Sequence, residues 1–227
     1  MSDLAGQLFV RTIEVPESMR RLDSGSTPAF LRMPFADAID YFLSKQILTP
    51  EEFYALSDEH RTRAFTASGM ATDTLRQTAY DKLRAALEDG STFQQFAAEM
   101  VDAGANADVP YLETVFRTNV MAGYGAGRYR QVTDPAVVAA RPFVEYRTTQ
   151  DSRVRPSHAA LDGLRFATDD PSWRNIAPPN GFNCRCTIVT LAPEDMGSSR
   201  PIRGSQIPDG AGPDDGFDAP PTSLLEL

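Results

Sequence analysis

Apolar positions recur at helical spacing from Pro34 to Val132 and then give way, after Asp134-Pro135, to short apolar or alternating runs bounded by turn residues. In PFADAIDYFLSKQ, Phe35, Ala38, Ile39, Phe42 and Leu43 fall on one helical stripe, and Pro34 suits a first turn. A second helix starts in ILTPEEFYALS, with Thr49 as N-cap, Pro50 at the first helical position and Glu51 and Glu52 at the positive end of the dipole. A short helix is predicted over Asp58–Ser68, ending near Gly69. Thr72–Leu87 is the clearest amphipathic stretch, with Leu75, Ala79, Leu83, Ala86 and Leu87 on one face and Gly90 past its end. Thr92–Ala103 and Pro110–Val132 complete the helices. Three glycines, Gly123, Gly125 and Gly127, lie inside the last of these, and each costs about 1 kcal/mol relative to Ala. Close packing against another backbone is the expected compensation. Strands are predicted near Phe143–Thr148, Leu164–Phe166 and Thr187–Leu191.

The pattern gives an α+β chain in four parts. Residues 1–33 lack sustained periodicity and read as an extended arm; 34–133 are a region of about five helices. Residues 134–192 are a small sheet-bearing module, and 193–227, rich in Pro, Gly, Ser and Asp, read as a disordered acidic tail. Whether the helical region and the module share one core is not decided by the pattern.

At 227 residues and 41% hydrophobic, the chain is large enough for one or two modules with real cores. No apolar run approaches the roughly 18 to 20 residues that span a bilayer, and MSDLAGQLFVRTIEV lacks the features of a secretory signal, so a cytoplasmic protein is expected. The net charge of −9 is unevenly spread. Basic and acidic residues number 6 and 14 over 33–116, 10 and 6 over 117–192, and 2 and 7 over 193–227. All ten positive residues of 117–192 are Arg, suited to bidentate contact with carboxylates or phosphates. Arg153, Arg155, Arg185 and the lone Trp173 are candidates for contact with DNA or a protein partner. Internal ion pairing and a lid over the small core are the plainer alternatives.

The chemistry concentrates between Asp151 and Leu191. Two cysteines, Cys184 and Cys186, flank Arg185, a spacing too tight for an unstrained mutual disulfide. With Asp151 and His158 they form a zinc-sized donor set of two thiolates, an imidazole and a carboxylate. In the alternative, the cysteines straddle a strand start and His158 hydrogen-bonds a backbone carbonyl. A catalytic reading makes His158 a base oriented by Asp151, with Cys184 or Cys186 as nucleophile. A nuclease would use His158 and Asn183 beside Arg153 and Arg155. With only two histidines in the chain, the other being His60 in a charged helical context, the catalytic readings are disfavoured and no catalytic residue is assigned. Gly163 suits a positive-φ turn, and Pro178, Pro179, Asn180 and Gly181 form a turn that aims the cysteines inward.

The order D-x6-H-x4-G, then PPNGFNCRC and an apolar strand, closely resembles the C-terminal signature of the Mu-F-like minor head proteins of tailed bacteriophages and prophages. FADAIDYFLSKQILTPEEFYALSDEHRTRAFTASG and TVFRTNVMAGYGAGRYRQ precede it in the family's order, so the resemblance covers roughly residues 33–192. It implies a minor head component, present in few copies inside the procapsid at the portal vertex, serving head assembly, DNA packaging or ejection; no enzymatic activity is expected. The implied partners are the portal and other head proteins, and also packaged DNA; the implied location is the virion interior, reached from the host cytoplasm during assembly, with no membrane. Many relatives carry C-x-x-C where this chain has Arg155-Pro156-Ser157-His158, and a His near Asn180. His158 thus stands as the surviving ligand of that pair, and Arg155 replaces the other. Two further readings remain: an Arg-rich DNA-binding accessory of the head, and a metal-dependent nuclease or hydrolase.

Overall fold

The computed structural model of the protein describes residues 36–55, 64–65, 67 and 70–221. The arm expected over 1–33 lies outside them. Helix α1 (Ala36–Leu43) buries Ala38 and Phe42, as its stripe predicts. Strand β1 (Gln46–Ile47) leads to α2 (Pro50–Ala55), which opens on a reciprocal cap: the Glu52 N–H donates to Thr49 Oγ1 at 3.2 Å and the Thr49 N–H to the Glu52 carboxylate at 2.8 Å. The segment expected as a helix over Asp58–Ser68 departs from its pattern. Its residues Ala64–Phe65 form β2, parallel to β1 with Gln46 opposite Ala64 and Ile47 opposite Phe65, while most of the remainder lies outside the described residues. Burial decides the matter: Phe65 is fully enclosed, its ring centroid 6.0 Å from that of Phe42 and 5.4 Å from that of Tyr80.

Helix α3 (Asp73–Asp89) is capped by Thr72, whose side chain accepts from the Leu75 N–H, and stops at Gly90 with φ +79°. A Thr92–Gln95 capping box starts α4 (Phe93–Asp102). Asp108 caps α5 (Val109–Thr133), and α6 (Pro135–Ala140) follows directly. Phe42, Phe65, Leu83, Phe96, Met100 and Leu112 are central to the first buried cluster.

The second cluster belongs to the module. Its sheet has the order β4-β3-β5, antiparallel throughout, with β3 (Phe143–Arg147) central, β4 (Arg165–Ala167) on one side and β5 (Thr187–Leu191) on the other. Val144 faces Phe166 and Thr190 across the strands, and Tyr146 faces Ile188. Trp173, expected as a lid, is 1% exposed; its ring lies 5.3 Å from that of Tyr129, and its Nε1–H donates to the Thr168 carbonyl at 3.1 Å. A residue so enclosed offers no surface to DNA or a partner, which removes Trp173 from the contact candidates.

Helix α5 joins the two clusters. Leu112 and Val115 near its start pack into the first, Tyr129 and Val132 near its end into the second. The glycines between them serve the close packing anticipated from their cost. A Cβ on Gly123 would sit 3.2 Å from the Ala38 carbonyl oxygen, and one on Gly125 only 2.5 Å from that of Pro178. The first approach is within the helical region; the second sets α5 against the module's turn, and both parts belong to one compact unit, Pro34–Leu227.

The stretch after Pro193 differs from its expected disorder as far as Pro221, where the described residues end. It forms two single 3-10 turns, Pro193–Met196 and Gly204–Gln206, and a strap that packs Ile202, Ile207 and Ala211 against the module's core. The Ile202 N–H donates to the Arg165 carbonyl at 2.7 Å, and the Asp214 N–H to that of Asn180 at 2.8 Å. Sparse apolar anchors suffice because hydrogen bonds to the module satisfy part of the strap's backbone. Among the described residues, no helix is long and apolar enough to cross a membrane.

Candidate metal centre

Four segments bring the functional side chains together. Helix α7 (Pro156–Ala159) is a single turn, with proline at its first position, that carries His158 inward. Gly163, at φ +76° as anticipated, returns the chain to β4, and its N–H donates to the Tyr146 carbonyl at 2.9 Å. The turn through Pro178, Pro179 and Asn180 contains a cis Pro178-Pro179 bond. Asn183 then takes φ +58°, a conformation Asn tolerates, while its N–H and side-chain amide donate to Thr118 and Thr114 hydroxyls on α5 at 3.1 and 2.9 Å. That anchorage starts an extended run in which Cys184 and Cys186 point inward and Arg185 outward, the alternation of a strand.

His158, Cys184 and Cys186 are 1%, 3% and 5% exposed. His158 Nδ1 lies 3.9 Å from Cys184 Sγ and 4.0 Å from Cys186 Sγ, and the three donor atoms are all within 4.8 Å of one another. On the far side of the ring, Nε2 donates to the Asn180 carbonyl at 3.1 Å and is 3.6 Å from Asp214 Oδ1. The Asn180 side-chain amide donates to the Tyr146 hydroxyl and to the Ile176 carbonyl, both at 3.0 Å, while its Oδ1 is buried without a partner.

The two thiols do not titrate alike. The hydrogen bond from Cys186 lowers Cys184 against the opposing effect of burial, with His158 contributing further. The neighbouring Cys184, then burial, pushes Cys186 up. His158 is raised, first by its bond to Cys184, which outweighs burial, and then by the charges of Cys184 and Asp214.

The structure gathers three of the four residues read from the sequence as ligands and leaves out Asp151. That carboxylate is engaged by Arg185 in a bidentate pair at 2.6 and 2.7 Å, which holds its pKa far below the usual carboxylate range, with the Arg153 N–H adding a third donor. For the same reason Asp151 is not the orienter of His158; the Asn180 carbonyl and Asp214 take that place. Arg155 meets Asp214 at 3.2 Å and donates to the Phe182 carbonyl at 2.7 Å, so Arg155 and Arg185 are both internally paired, while Arg153 is exposed. Asp214 was missed because it sits in a Pro, Gly and Asp-rich stretch with no periodicity to mark it. Tyr146 had a signal, its inward place in the β3 alternation. His60 lies outside the described residues.

Two thiolates and an imidazole in a buried pocket are donors for a soft or borderline divalent ion. A nucleophilic role fits less well, since both sulfurs are enclosed.

The family model described as Phage Mu protein F like protein matches residues 77–189, from α3 through β5, and includes His158, Cys184 and Cys186. The protein named "Putative capsid assembly protein F" of Escherichia phage Mu is 31% identical over 187 residues, 73% of this chain and 42% of that protein. The Mu-like prophage FluMu F protein of Haemophilus influenzae is 41% identical over 81 residues, 36% of this chain and 19% of that one. An uncharacterized protein of Methanocaldococcus jannaschii is 30% identical over 116 residues, 51% of this chain and 17% of its own length. The chain thus spans less than half the length of each of these relatives. No solved structure matches it. Through residues 77–189 the chain belongs to the phage Mu protein F-like family.

Proposed function

We propose that the chain is a head morphogenesis protein of a tailed phage or prophage, a minor, non-enzymatic capsid component acting inside the procapsid at the portal vertex. The observation that carries this reading is the match of residues 77–189 to the family, joined to the name of the phage Mu relative, which describes capsid assembly. The helical region would dock on the portal or another internal head surface, with the module as a rigid end piece. Arg155 and Arg185 are committed to Asp214 and Asp151, which argues against a dedicated DNA-binding face. The buried sulfurs and the absence of Asp151 from the cluster argue against a hydrolase.

Quantitative peptide mass spectrometry on gradient-purified procapsids and mature particles, normalised to the portal, tests the reading. A few copies persisting in both supports a minor head component, and presence in procapsids alone supports an assembly factor. Absence from both overturns the proposal. A portal pull-down, with and without residues 1–33, tests the docking partner: failure of the full chain to co-purify rejects the portal assignment.

A further inference from the structure

We propose that His158 Nδ1, Cys184 Sγ and Cys186 Sγ bind one zinc ion, and that Asp214, reaching in from the strap, is the carboxylate that orients His158 and couples the strap to the metal. The first part rests on separation. Bonds of about 2.3 Å to sulfur and about 2.0 Å to nitrogen at a tetrahedral angle place the two donors about 3.5 Å apart. The observed 3.9 and 4.0 Å lie within about half an ångström of that spacing, and the three donor atoms are all within 4.8 Å of one another. All three groups are buried, and Nδ1 is aimed at the sulfurs because the Asn180 carbonyl takes the hydrogen on Nε2. A ring nitrogen on the metal with the other donating to a carbonyl or carboxylate is the usual outer arrangement of metal-bound histidine.

The second part rests on Gly181 and Asp214. A Cβ on Gly181 would collide with Asp214 Oδ2, so the glycine opens the path by which the strap's carboxylate reaches the ring. Asp214 is then 3.6 Å from Nε2, pinned by the bond from its own N–H to the Asn180 carbonyl and by Arg155. The carbonyl of Asn180 receives both His158 and Asp214, so the strap and the ligand share one support. Zinc binding by this set displaces the thiol protons.

The test uses the full chain, reduced and freed of metal by a chelator, titrated with Zn2+ against a chromophoric competitor and separately with Co2+. The expected result is one ion per chain, with thiolate-to-cobalt charge-transfer bands and the intense visible bands of a tetrahedral site. Cys184→Ser and Cys186→Ser should each weaken zinc by roughly 100-fold or more. Asp151→Ala should leave the affinity unchanged. Asp214→Asn should keep the stoichiometry and lose about 10- to 100-fold in affinity, and Gly181→Ala, which displaces Asp214 without altering its charge, should match it. Circular dichroism establishes that each variant is folded, and the cobalt spectrum of the unmodified chain tests the ligand set even if a variant is not. Binding without thiolate bands, or an Asp151→Ala loss equal to that of Cys184→Ser, overturns the ligand assignment. Asp214→Asn and Gly181→Ala both binding like the unmodified chain overturns the coupling to the strap.

Discussion

The Asn180 carbonyl oxygen lies 3.1 Å from His158 Nε2, and because a carbonyl can only accept, this contact decides which nitrogen carries the hydrogen. Nδ1 is left with its lone pair toward the sulfurs. In the metal-free protein, at a pH well above the ordinary histidine range, His158 should therefore be the Nε2–H tautomer. Two-bond nitrogen–proton correlation on labelled protein reads this directly. An Nδ1–H pattern would mean that the ring presents no lone pair on the side of the thiols.

Gly125 faces the turn that carries Asn180. A methyl there would sit 2.5 Å from the Pro178 carbonyl oxygen and 2.8 Å from Pro179 Cδ, with backbone on one side and a rigid ring on the other. We expect Gly125→Ala to cost about 1 to 3 kcal/mol by urea unfolding. Gly123→Ala meets the Ala38 carbonyl at 3.2 Å and a Leu87 methyl at 3.3 Å, where the side chain can yield. Its gain in helix propensity of about 1 kcal/mol should offset most of the strain. Equal losses at the two positions would show that the turn is not the tighter contact.

These glycines illustrate what the sequence made legible. Their cost inside α5 announced a close approach, yet nothing in the chain named Pro178 as the neighbour, because that contact spans more than fifty residues. The cap at Thr49 was local and readable, and so were the helices placed from Thr72 and Thr92, whose capping roles the structure adds; β5 and the inward pair Cys184 and Cys186 were legible too. Phe65 was misread, since the helix-like sequence pattern around it gave no hint that a buried aromatic cluster would draw it into a strand. Asp151 carried the right chemistry for a ligand, but only the fold brings Arg185 against it. The strap was the least legible part, its anchors being too sparse to make a pattern.

Glu145 is a buried carboxylate, 3% exposed, on the central strand. Arg165 on β4 holds it at 2.6 Å and Arg147 on its own strand also pairs with it. Glu145→Gln keeps the shape but turns an amide toward two guanidinium groups. A loss of roughly 1 to 3 kcal/mol is expected in chemical denaturation, most of it absent when Arg165 is already Ala. Additive losses in that double-mutant cycle would show that Glu145 acts through something other than the pair.

Asp162 ties the end of β3 to the loop before β4. Burial raises its pKa, but the Thr148 N–H at 2.7 Å, the Thr148 hydroxyl at 3.0 Å and the Gln150 amide at 2.8 Å outweigh it, so the net shift is downward. A carboxyl lowered by folding stabilises the protein above its unfolded value of about 3.9 and loses that contribution as pH falls through the lower folded value. Stability measured between about pH 5 and pH 2 should fall more steeply in the unmodified chain than in Asp162→Asn. Parallel curves would assign the acid sensitivity to other carboxylates.

The strap makes the sharpest claim against its composition. Its Ile202 and Asp214 amides donate to the Arg165 and Asn180 carbonyls, at 2.7 and 2.8 Å, and Ile207 sits between them against the module's core. If the strap opens as one unit, both amides should be protected from hydrogen exchange to a similar degree, and Ile207→Ala should lower both together. Loss of a half-buried isoleucine costs about 1 kcal/mol by area, which is roughly a fivefold change in opening. Exchange at free-chain rates would return this stretch to the solvated tail its composition suggests. Protection of Asp214 alone would place the support at the turn beside His158 rather than along the strap.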